Sequence, residues 1–120
     1  MKASLKIKIQ LYLGVEIAFG PGKADLLEVI AREGSIAAAA RALGMSYRRA
    51  WLLVDTMNRC FARPLVESTP GRARGGATRV TATGQRVLAA YRQIAGAVET
   101  AAHDRALRTI ERLLREAPGR

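Results

Sequence analysis

The stretch Gly34–Phe61, GSIAAAARALGMSYRRAWLLVDTMNRCF, decides the fold of this chain. It reads as two helices joined by a tight turn. Ser35 opens the first, because its hydroxyl can accept an otherwise unpaired backbone N–H of the next turn. The alanine run 37–40 propagates that helix with the best helix former. Leu43-Gly44-Met45 is the turn, with Gly44 supplying a positive φ. Ser46 caps the second helix, whose apolar face is Ala50, Val54, Met57 and Phe61 at spacings of 4, 3 and 4. Two helices crossing over so short a turn need small side chains where their backbones approach, and Ala38, Ala39, Ala42 and Ala50 are the candidates.

The second helix begins Ser46-Tyr47-Arg48-Arg49, with no acid before Asp55. Hydroxyls, an aromatic ring and two guanidinium forks suit base edges and phosphates in a DNA major groove. The expectation is a helix-turn-helix over about 35–61, with a recognition helix from about Ser46 to Phe61. A plain helix–helix corner with a solvated basic cap fits the same residues.

Working outward, residues 4–12 alternate Leu5, Ile7, Ile9 and Leu11 with polar neighbours, the period of a half-buried strand. Leu13-Gly14 turns it and Val15–Phe19 returns, so the chain is expected to open with a β-hairpin. A helix over about 23–33 comes next, with Leu26, Leu27, Val29 and Ile30 inward and Gly34 as its stop. The GPGK piece before it lacks the spacing of a phosphate loop, and Ala24 stands where a hydroxyl would be needed, so it reads as a turn.

Beyond the second helix, Pro64 halts helical structure. Leu65–Ser68 and Thr78–Thr81 read as strands flanking a loop of Pro, Gly and Arg. Arg72, Arg74 and Arg79 lie in and beside that loop, which is the layout of a wing reaching phosphates or a narrow minor groove. An ordinary surface loop is the alternative. A long helix then starts near Gly84, capped by Thr83 or a neighbour. Val87, Tyr91, Ile94, Val98 and Ala101 form a seam spaced 4, 3, 4 and 3, which His103-Asp104-Arg105 interrupts. Such a helix is too long to bury itself against so small a body. It is read as a dimerisation helix through Val87, Tyr91, Ile94 and Val98, the alternative being two helices folded back.

The expected class is therefore mainly α with small β elements: a winged helix-turn-helix over 1–82, with the wing about 65–82, and a C-terminal dimerisation helix over 83–117. Charge supports a nucleic-acid partner. The net charge is +10, and residues 41–92 hold ten arginines against only Asp55 and Glu67. Arginine makes bidentate contacts to guanine and phosphate that lysine cannot. Cys60 is the only cysteine and His103 the only histidine, on different expected helices. No disulfide within the chain and no His/Cys metal cluster can be built from them. Cys60 reads as a buried or half-buried apolar residue, and no catalytic pair can be nominated. No uncharged apolar run approaches the roughly 18 residues of a membrane span, so the expectation is a cytoplasmic, non-enzymatic protein with no cofactor.

Taken together, these segments resemble the N-terminal DNA-binding domain of ModE-type molybdate-responsive bacterial transcription regulators, relatives of the LysR-type winged helix-turn-helix. The residues that carry the resemblance are FGPGK (Phe19–Lys23), the run Leu26–Arg59, PLVE (Pro64–Glu67), the wing GRARGGA and VTATGQRVLAAYR (Val80–Arg92). The resemblance implies a homodimer on double-stranded DNA with an inverted-repeat operator. It places Ser46, Tyr47, Arg48 and Arg49 in the major groove and gives Trp51 a packing role that fixes the recognition helix; with Ser35, Arg59, Arg72, Arg74 and Arg79 these are the residues expected at the DNA. Molybdate-sensing members hold the oxyanion in C-terminal domains with no counterpart in these residues, so molybdate is not expected to bind this chain alone. A sequence-tolerant architectural nucleic-acid binder is the competing function.

Overall fold

The computed structural model describes residues 2–69 and 77–119. The elements run β1 (Leu11–Leu13), β2 (Glu16–Phe19), α1 (Pro21–Glu33), α2 (Ile36–Leu43), α3 (Tyr47–Cys60), β3 (Val66–Thr69), β4 (Ala77–Val80), α4 (Ala82–Ala102) and α5 (Arg105–Leu113). Two antiparallel hairpins, β1–β2 and β3–β4, flank the three-helix body.

Local chemistry sets the helix boundaries as expected. Gly34 and Gly44 close α1 and α2 in the left-handed region, at φ 78° and 68°. The Ser35 hydroxyl accepts the Ala38 N–H at 3.0 Å, and the Ser46 hydroxyl accepts the Arg49 N–H at 3.1 Å. Leu26, Leu27 and Ile30 of α1, Ala39 and Ala40 of α2, and Ala50, Val54 and Met57 of α3 form the centre of the core. Of the small residues expected between α2 and α3, Ala39 and Ala50 are fully buried in the core. Ala40 is buried as well, while Ala38 is half-buried and Ala42 exposed.

Two expectations, the length of the opening strand and the cap of α4, are corrected. The opening strand is only Leu11–Leu13. The alternation over 4–10 is satisfied differently: Ile7 and Ile9 are half-buried, and the Ile9 carbonyl accepts the Tyr91 hydroxyl at 2.8 Å. The burial of Ile9 is met there by packing against the core rather than by strand pairing.

The cap of α4 is Thr81, not Thr83. Its hydroxyl accepts the Gly84 N–H at 3.0 Å and donates to the Pro64 carbonyl at 2.7 Å, so one side chain starts the helix and pins the root of β3.

The long helix, whose continuity the sequence leaves open, is divided where His103-Asp104-Arg105 interrupts its seam. It stops at Ala102, and the Asp104 carboxylate accepts the Ala106 N–H at 2.9 Å to start α5. A short acid that binds backbone ahead of it favours a new helix start over continuation.

The seam expected on α4 divides. Gly84, Leu88 and Tyr91 are buried, with Val87 and Ala95 half-buried against the body. Tyr91 stacks edge-on against Phe19 at 5.1 Å between ring centres, and Phe19 meets Phe61 at 6.3 Å. Tyr91 therefore belongs to its own chain's core, and burial pushes its phenol pKa upward. Ile94 and Val98 are exposed, and α5 buries none of its side chains.

Candidate nucleic-acid interface

The first turn of α3 presents Tyr47, Arg48 and Arg49 outward, all exposed. Among the described residues, Arg41, Arg48, Arg49, Arg63 and Arg86 face no carboxylate within ion-pairing distance, whereas Arg59, Arg79 and Arg92 each have one. Arg59 donates to Asp55 at 2.9 Å and reaches Glu16 at 3.5 Å. It stands three turns from Arg48, beside two acids. Arg79 lies 3.8 Å from Glu67 across the β3–β4 ladder. The uncompensated positive charge of α3 is thus at its N-terminal end, where the helix dipole adds to it. Ser35 and Ser46 spend their acceptor oxygens on helix caps and keep their O–H donors. Arg72 and Arg74 lie outside the described residues.

The wing is anchored to the recognition helix by Asn58, which sequence reasoning missed. Its side-chain oxygen accepts the Leu65 N–H at 2.8 Å and the Val66 N–H at 3.2 Å, and its amide donates to the Val66 carbonyl at 3.0 Å. The opposite strand is held by the Thr78 N–H donating to the Gly34 carbonyl at 3.0 Å. Between them the hairpin is fixed to α3 and to the turn between α1 and α2. An asparagine on the half-buried side of a helix, with a strand arriving seven residues later, was the available signal.

Trp51 departs from the packing role that the resemblance gives it. It is 46% exposed, on the same outward stripe as Tyr47 and Leu52. The rest of its surface is covered, and it lines a shallow cavity of about 210 Å³ with Ile36, Val54, Asn58 and Val66.

Lys23, expected in a turn, is 8% exposed at the start of α1. Burial lowers its ammonium pKa; nearby Cys60 and Glu16 oppose that shift and Arg49 reinforces it. No described group of His, Cys, Asp and Glu side chains forms a metal site. No described helix is long and apolar enough to cross a membrane.

A helix-turn-helix with a basic leading turn, flanked by a hairpin fixed to its second helix, defines the winged helix-turn-helix class of DNA-binding domain. Residues 23–85 match the model of the bacterial regulatory helix-turn-helix proteins of the lysR family. The chain belongs to that family.

Its N-terminal region is similar to the molybdenum-pterin-binding protein MopA of Rhodobacter capsulatus, 48% identical over 82 residues (68% of this chain, 31% of the relative). It is also similar to the molybdenum transport protein ModE of Azotobacter vinelandii, 40% identical over 87 residues (72% and 32%). The dual regulator ModE of Escherichia coli K12 is 35% identical over 86 residues (72% and 33%). The chain thus spans about a third of the length of these relatives. Among solved structures, the CbnR_DBD–DNA complex shares the fold, with a TM-score of 0.53 at 22% identity, covering 68% of this chain and 87% of that one.

Proposed function

We propose that this chain is a sequence-specific, cytoplasmic transcription regulator of the ModE type, without catalytic activity, acting as a homodimer on inverted half-sites. The observation that carries the reading is the leading turn of α3, where Arg48 and Arg49 stand exposed with no carboxylate partner among the described residues. In this reading α3 enters the major groove, with Tyr47, Arg48 and Arg49 at base edges and phosphates. Ser35 and Ser46 donate to the backbone, and Arg72, Arg74 and Arg79 of the wing reach phosphates or the minor groove. Arg59 is assigned a secondary place, because Asp55 and Glu16 already hold it. Dimerisation follows the exposed part of the α4 stripe, Ile94 and Val98, with Val87 at its base. A two-fold dimer requires two-fold half-sites. Molybdate is not expected to bind these residues alone.

The test is selection of a preferred duplex from a random library, followed by fluorescence anisotropy against a scrambled duplex at about 0.15 M salt, where non-specific attraction is partly screened. A preference of about a thousandfold or more is expected. Equal affinity for both duplexes would replace this reading with a sequence-tolerant architectural one.

A further inference from the structure

The outward stripe of α3 is more apolar than a helix that only grips phosphates requires. Tyr47, Trp51 and Leu52 leave 56%, 46% and 43% of their surface in solvent. With Arg48 they occupy positions i, i+1, i+4 and i+5, two turns of one helix face. The stripe has a definite end. One turn further on, Asp55 is closed against Arg59 at 2.9 Å, and its carboxylate would repel a phosphate backbone.

Arg48 and Arg49 border the stripe without carboxylate partners among the described residues. Its natural complement is therefore a surface with anions at its rim and an apolar group on its floor. A DNA major groove has both, and the apolar group on that floor is the C5-methyl of thymine.

We propose that Trp51 and Leu52 are specificity-determining residues that read thymine methyl groups, so that each half-site carries A·T pairs beneath the second turn of α3. The inference rests on the DNA-binding reading above and names what that surface discriminates.

The experiment uses the whole chain and its selected duplex, with each thymine replaced in turn by deoxyuridine. That change removes one methyl group and keeps the pairing and the O4 acceptor. At one or two positions per half-site, affinity should fall about three- to tenfold, the worth of roughly one to two apolar carbons withdrawn from contact. Trp51→Ala and Leu52→Ala should bind the thymine and deoxyuridine duplexes alike at those positions, while Trp51→Phe retains part of the difference.

Trp51 is the only tryptophan, so its emission should also change on the selected duplex and less on a scrambled one. Unchanged helical content and melting temperature in Trp51→Phe separate lost recognition from lost fold. Indifference to deoxyuridine at every position, or a Trp51→Ala variant that keeps the thymine preference, overturns the inference and leaves DNA binding itself intact. Failure to select any preferred duplex overturns the regulator reading, and this inference with it.

Discussion

Asn58 joins the helix expected to enter DNA to the strand expected to flank it, and does so with three hydrogen bonds from one side chain. Asn58→Leu keeps the volume and removes all three. With Leu65 and Val66 buried, the orphaned backbone groups should cost about 1–3 kcal/mol in urea denaturation. Gly84 makes a second residue-scale prediction. A Cβ there would overlap the Leu65 carbonyl and lie 2.6 Å from a Val80 methyl carbon. Gly84→Ala should therefore lower stability by about 1–3 kcal/mol despite its better helix propensity. Lys23 contributes a pH dependence. Burial holds its pKa below the ordinary 10.5, so the unfolded chain binds the proton more tightly. Stability should rise as the pH climbs through the interval just below 10.5 and level off above it. Lys23→Met should remove that rise, as urea midpoints across the interval would show. Ser35, Ser46, Gly34 and Gly44 are legible in the sequence because their partners lie within four residues. Asn58, Gly84 and Lys23 are not, since their neighbours come from other elements.

At the scale of elements, α3 carries the prediction. Arg48→Ala or Arg49→Ala should cost about 1–3 kcal/mol on the selected site and relax base preference there if the arginine pairs with a guanine. A uniform loss over all duplexes would mark that arginine as a phosphate contact instead. Ser46→Ala, which removes the cap that starts this helix, should cost about 1 kcal/mol of stability. The helices are legible because their caps and apolar periods agree. The opening strand is not, because alternation records which side chains are covered and leaves open which element covers them. The seam on α4 misleads for the same reason: one apolar stripe serves the chain's own core as far as Tyr91 and lies bare at Ile94 and Val98. The outward place of Trp51 is hidden too, because its size suggests burial.

The whole molecule is extended, 59 × 29 × 26 Å with a radius of gyration of 18.0 Å. A compact domain of this length would have a radius of about 14 Å. The difference fits a body of helices with the later turns of α4 extending beyond it. Arg92 fixes the base of that arm, donating to Glu28 at 2.6 Å and Asp25 at 3.0 Å on α1. Ile94→Glu with Val98→Glu should yield monomers by sedimentation, with the melting temperature of the body preserved, because neither side chain belongs to the core. A dimer that survives both changes would move the interface elsewhere.

None of the residues in α4 and α5 that pack against the core lies beyond Ala95. On the proposed reading, the chain up to that point holds the surface that meets DNA, and the remainder is a handle. If the proposed dimer forms through Ile94 and Val98, replacing the handle by a dimeric coiled coil should change the spacing between the two copies and leave affinity for a single half-site unchanged.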